Sequence, residues 1–218
     1  MRLTSTLRII LISVTVMASG MFHAAKADTF TALVVGDSIS AAYGLREDQG
    51  WVALAKQQLI DKGFEVDFIN ASISGDTSVG GLRRLPAALE RFNPDLLVIE
   101  LGGNDGLRGY PTNAMQENLE NMALLAQERG TRVLILGMMI PSNYGQAYLQ
   151  KFSQAFVDAA ANTDSDFVPF LLEPIAQDRS YFQPDGIHPT ADAQPLLADH
   201  VMPSLLDILE SEASNASN

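Results

Sequence analysis

Short, unbroken apolar runs separated by longer segments of helical period constrain this 218-residue chain most, and "LLVIEL" (96 to 101) is the clearest of them. A run of that kind has no polar face to offer water, so it belongs in a parallel sheet covered by helices on both sides. The same pattern predicts strands over 29–35, 65–70, 95–101, 132–138 and 166–170. Between them, 51–62 reads as a helix stopped by Gly63. Leu82, Leu85, Leu89 and Phe92 recur at steps of three and four and mark one buried helix face. Further helices are expected over 113–129, 146–162 and 191–209, followed by a polar tail over 211–218.

In such sheets, sites form beyond the carboxyl ends of the strands, where strand order reverses. Beyond the first strand lies Gly36-Asp37-Ser38, beyond the second "NASISGDTS" (70 to 78), and beyond the third "GGND" (102 to 105). Three polar, glycine-rich turns therefore converge on one rim. Taken alone, the Gly-Asp-Ser turn fits a capping role as well as a nucleophile. It is not the Gly-x-Ser-x-Gly elbow, because position 40 is serine, and no nucleotide-binding glycine motif occurs.

A serine nucleophile needs a base, and histidine is the usual one. The chain has three histidines. His23 lies in the N-terminal segment, His200 in the last predicted helix, and His188 in "QPDGIHPT" (183 to 190). Asp185, three residues before His188 and next to Gly186, can fold back onto one imidazole nitrogen and leave the other for Ser38. A glycine-proline loop with a capping aspartate is the plainer reading of the same stretch. An oxyanion also needs donors. The backbone N–H of Ser38 and Gly75 and the side-chain amide of Asn104 are suited to supply them, while Asp37 is expected to brace the turn.

The first 27 residues have the layout of a secretory signal: Arg2 and Arg8, an apolar stretch over 9–18, and Ala25-Lys26-Ala27 as a small-x-small cleavage site. The apolar stretch falls short of the roughly 20 residues that span a bilayer. Cleavage would leave residues 28–210 as one domain plus the tail. It removes three cations and no acid, so the formal net charge of −12 becomes −15. That balance argues against nucleic acid and against a stable hold on anionic lipid. With no cysteine, a disulfide framework and a thiol nucleophile are excluded.

Gly36-Asp37-Ser38, Gly75, Gly102-Gly103-Asn104-Asp105 and Asp185-Gly186-Ile187-His188-Pro189 resemble the four sequence blocks of the SGNH, or GDSL, hydrolase superfamily. "NASISGDTS", "LGGNDGLRG", "NYG" (143 to 145) and "DGIHPTADAQP" are similar in particular to the periplasmic multifunctional acyl-CoA thioesterase I/protease I/lysophospholipase group, whose relatives include arylesterases. The likeness runs over nearly the whole chain after the signal. It implies a three-layer α/β/α, flavodoxin-like fold with a five-stranded parallel sheet, and a serine esterase that needs neither metal nor cofactor. Carried over by position, Ser38 is the nucleophile, His188 the base and Asp185 its orienting partner, with Ser38, Gly75 and Asn104 as the oxyanion hole. Position 39 is Ile where the family name has Leu.

Candidates for an acyl groove are Ile73, Leu107, Tyr110, Met139, Ile140, Pro141 and Tyr144, with Met138 expected in ordinary packing. Expected substrates are small aryl and short-chain esters, acyl thioesters and lysophospholipids, handled by a periplasmic monomer. Three rivals share parts of the pattern. A metallophosphoesterase would need more histidine than the chain can furnish. A carbohydrate O-deacetylase would keep the fold and change the substrate. A non-catalytic acyl- or glycan-binding module would have no use for a complete set of nucleophile, base and oxyanion donors.

Overall fold

The computed structural model describes residues 29–216, so the signal-sequence expectation lies outside the described residues. Five strands form one parallel sheet in the order β2-β1-β3-β4-β5. They are β1 (Phe30–Gly36), β2 (Val66–Asn70), β3 (Leu96–Glu100), β4 (Arg132–Leu136) and β5 (Asp166–Val168). Every residue of β3 is buried, as its apolar run requires.

Helices α1 (Trp51–Asp61), α2 (Ser78–Phe92), α4 (Thr112–Gln127), α5 (Gln146–Asn162) and α6 (Gln194–Ala216) cover the sheet, and a short α3 (Gly103–Leu107) follows β3. Right-handed crossovers put α1 on one face, because the chain moves outward from β1 to β2. The same rule puts α2, α4 and α5 on the other, where the chain moves the opposite way. The packing agrees: α1 contacts α6, while α4 contacts α2 and α5. Strand order reverses between β1 and β3, so the turns after those strands flank the switch point.

The predicted ranges shift by small amounts at the strand ends. β4 and β5 stop at Leu136 and Val168, because the following residues turn out of the sheet toward the cleft described below. The last helix departs most. A turn of 3-10 helix occupies Ala191–Ala193, and α6 then continues to Ala216, beyond the expected end at 209. Its extension is tied to the sheet by Arg132, which pairs with Asp166 at 2.7 Å, reaches the Ser211 hydroxyl and lies 3.8 Å from Glu212. No helix among the described residues is long and apolar enough to cross a membrane.

Candidate active site

The turn after β1 is packed by the side chains of Glu100 and Ser40, which leave room only for glycine at its start. A Cβ on Gly36 would lie 2.8 Å from both Glu100 Oε2 and Ser40 Cβ. Just beyond it, the Asp37 N–H donates to the Glu100 carbonyl at 3.2 Å, and the Ile39 N–H donates to Asp37 Oδ1 at 3.0 Å. Asp37 therefore braces the turn through its own side chain, and Ser38 is held between two fixed neighbours.

The Ser38 hydroxyl meets His188 Nε2 at 2.9 Å, and His188 Nδ1 meets Asp185 Oδ2 at 2.8 Å. A carboxylate can only accept, so Nδ1 carries the imidazole proton and Nε2 accepts from Ser38. Asp185 Oδ1 accepts the N–H groups of Ile187 and His188 at 2.9 and 3.1 Å. With the imidazole bond as the largest cause and these backbone bonds next, the Asp185 carboxyl is held down to about 2. Gly186 makes the fold-back possible, since its φ of 74° is a left-handed conformation that glycine adopts without penalty.

This loop is anchored at both ends. Phe182 and Pro189 form an antiparallel bridge, the Gln183 N–H donates to the His188 carbonyl at 2.7 Å, and Gln183 Nε2 donates to the Tyr43 carbonyl at 2.8 Å. The Tyr43 ring packs on the imidazole, with centroids 4.3 Å apart. Sequence reasoning does not single out Tyr43, although it stands five residues after Ser38 in the same loop.

Gly75 has φ of 80° with open space around its Cα, so backbone conformation and not crowding calls for glycine there. Its carbonyl accepts from Arg108 at 3.0 Å. Arg84 ties this loop to the turn that carries Ser38: it pairs with Asp76 at 2.8 Å and donates to the carbonyls of Ala71 and Gly36. Asn104, on α3, donates one amide hydrogen to Asp37 Oδ2 at 2.9 Å, which leaves the second for a ligand. Asp105 supports the same short helix from below by accepting the Ser78 N–H and hydroxyl at 2.8 and 2.7 Å.

A cleft of about 650 Å³ opens beside Ser38, Asn104 and His188. Of the groove candidates, Leu107, Met139, Ile140 and Pro141 line it, and so does Met138. Ile73, Tyr110 and Tyr144 are not among its lining residues. The Ile73 and Tyr110 side chains are exposed, and the Tyr144 hydroxyl donates to the Leu107 carbonyl at 2.7 Å. The opposite wall comes from Phe170, Leu172, Ala176, Phe182 and Ile187. These residues occupy a segment without helical or strand periodicity, where only the apolar "FLL" (170 to 172) hinted at a role.

His200 lies on α6 with Nε2 3.0 Å from the Phe170 carbonyl and is not among the residues that line the cleft. Among the described residues, no three histidines or acids are grouped to hold a metal ion. Both nitrogens of His188 are already committed to Ser38 and Asp185, so the donor set does not suit a metallophosphoesterase.

The model of the GDSL-like lipase/acylhydrolase family matches residues 34–195. Esterase TesA of Pseudomonas aeruginosa is 51% identical over 179 residues, 82% of this chain and 89% of that protein. Thioesterase 1/protease 1/lysophospholipase L1 of Escherichia coli is 37% identical over 192 residues, 88% of this chain and 90% of its own. Among solved structures, the psychrotrophic esterase EstA from Pseudoalteromonas sp., inhibited by monoethylphosphonate, superposes with a TM-score of 0.79 at 39% identity, covering 83% of this chain and 98% of that one.

Proposed function

The chain belongs to the GDSL-like lipase/acylhydrolase family, and on that premise we propose that it is a serine esterase that cleaves carboxylic esters and thioesters through an acyl-enzyme on Ser38. The observation that carries this reading is the unbroken hydrogen-bond chain from Asp185 through His188 to Ser38 at the mouth of an apolar cleft. His188 Nε2 takes the hydroxyl proton as Ser38 Oγ bonds to the carbonyl carbon. The oxyanion is received by the N–H groups of Ser38 and Gly75 and the free amide hydrogen of Asn104. His188 then gives its proton to the leaving alcohol or thiol as the C–O or C–S bond breaks. A water deprotonated by the same nitrogen hydrolyses the acyl-enzyme.

The cleft walls are thioether, aliphatic and aromatic, so aryl esters, acyl thioesters and lysophospholipids fit better than the polyhydroxyl surface of a sugar. Methionines 138 and 139 suit acyl chains of different shape, because an unbranched thioether repacks at little cost. The basic start, short apolar stretch and small-x-small site of residues 1–27 support cleavage before Asp28 and work in the periplasm. A single chain supplies Ser38, His188 and Asp185, which supports a monomer as the working unit.

The test is a series of p-nitrophenyl esters from acetyl to palmitoyl, run on the mature protein and on Ser38→Ala with a chelator present. Ser38→Ala is expected to lower turnover by about 10⁴-fold or more, with the wild-type rate unaffected by chelator. A folded Ser38→Ala that keeps near-wild-type turnover would overturn the assignment.

A further inference from the structure

Beneath Ser38 lies a second carboxyl that the reaction scheme does not use. Glu100 ends β3 and is fully buried. Its Oε2 accepts three donors: the N–H of Asp37 at 3.2 Å, the N–H of Ser40 at 3.2 Å and the Ser40 hydroxyl at 2.7 Å. It thus grips the chain on both sides of the nucleophile. The Ser40 hydroxyl also accepts Trp51 Nε1–H at 3.3 Å, which closes that side of the site. The other oxygen, Oε1, is buried and has no donor.

Asp37 is also buried, and with its N–H 3.2 Å from Glu100 Oε2 the two carboxyls share one buried neighbourhood and raise the cost of ionising both. The nearby ionisable groups do not neutralise the pair. His188 faces Asp37 from the loop after β5, but its nitrogens are engaged with Ser38 and Asp185. Arg84 reaches in from α2, yet its guanidinium is taken up by Asp76 and by the Ala71 and Gly36 carbonyls. Two adjacent anions with no cation are strongly disfavoured in such a place. A single proton on Glu100 Oε1 removes one charge, and it turns the orphaned acceptor into a donor.

We propose that Glu100 is held as a neutral carboxylic acid and acts as a positioning residue, fixing the Ser38 turn by accepting and leaving Asp37 as the one anion that holds the Asn104 amide in place. Burial, as the largest cause, raises both carboxyls, Glu100 well above its ordinary range and Asp37 to about 6. The inference rests on the proposed role of Ser38 for its effect on rate, while the protonation state stands without it.

Glu100→Gln replaces the acid by an amide of the same shape, with N–H in place of O–H. It is expected to fold and to keep kcat within about threefold of wild type, whereas Glu100→Ala, which loses the grip on Asp37 and Ser40, should lower kcat by about 30-fold or more with KM little changed. Infrared difference spectra provide the independent readout. At neutral pH the wild-type protein should show the carbonyl stretch of a protonated carboxyl, shifted in deuterium oxide and missing from Glu100→Gln. The same band should persist in Ser38→Ala, so failure of the nucleophile assignment and failure of this proposal register separately. If Glu100→Ala does not fold, Glu100→Gln and its spectrum decide. Absence of the band, or a Glu100→Gln variant that is folded but 100-fold slower, would overturn the proposal.

Discussion

Asp185→Asn separates the orienting role of this residue from its structural one. In the wild-type loop, Asp185 Oδ1 accepts two backbone N–H groups while Oδ2 accepts only the imidazole. In the variant, the amide oxygen stays with the two N–H donors, and the new –NH₂ faces His188 Nδ1. Two donors cannot share a bond, so the imidazole proton moves to Nε2, and Nε2 then donates to Ser38 Oγ and has no lone pair for its proton. The expected result is a fall in kcat of about 10⁴-fold, or about 5 kcal/mol in the barrier. The loop keeps both backbone bonds, so the melting temperature should stay within a few degrees of wild type. Steady-state hydrolysis of p-nitrophenyl acetate and a thermal melt measure the two quantities on one preparation. A folded Asp185→Asn within about tenfold of wild-type kcat would refute the tautomer reasoning. A large drop in melting temperature would instead show that the carboxylate charge itself holds the loop.

Asn104→Ala should lower kcat by about 10²–10³-fold with little change in KM, and an unchanged kcat would remove the amide from the oxyanion hole. Gly102→Ala should destabilise the fold by roughly 2–5 kcal/mol, read by denaturant unfolding, since φ there is 109° and the new Cβ would meet Phe156 Cζ at 2.8 Å and Met115 Sδ at 2.9 Å. Asp37, raised from 3.8 to about 6 chiefly by burial, binds its proton more tightly folded than unfolded. Its contribution to stability is therefore full below about pH 4 and is lost as pH rises through about 6. The melting temperature of wild type relative to that of the non-titrating Asp37→Asn should fall between about pH 4 and 6.5; a constant difference across that window would contradict the assignment.

The sheet was legible because its inner strands β1, β3 and β4 carry runs that are apolar on both faces, and the convergence of its turns followed from parallel topology alone. The proposed triad was legible only through the four sequence blocks of the family resemblance, because Asp185 and His188 around Gly186 fit a plain capped turn as well. The wall from Phe170 to Ile187 was not, because side chains on an aperiodic segment take their direction from tertiary contacts such as the bridge between Phe182 and Pro189. Tyr144 misled for the same reason, its hydroxyl being claimed by the Leu107 carbonyl. Glu100 did carry a signal. It is the one acid inside "LLVIEL", and an ionisable group in a strand buried on both faces needs a partner or a proton.

The Ser38–His188 hydrogen bond joins residues 150 positions apart. Every strand precedes His188 in the chain, so on the proposed mechanism a growing chain that already holds all five strands still lacks its base. Competence arrives with the last loop, and α6 must then close against α1 and β5 to hold that loop where it belongs. That order ties the proposed chemistry to one of the last elements of the chain to be completed. It also makes esterase activity a reporter for the C-terminal end of the molecule: a fragment ending before residue 188 has a nucleophile without a base, and turnover regained on adding the missing segment would time the docking of α6 directly.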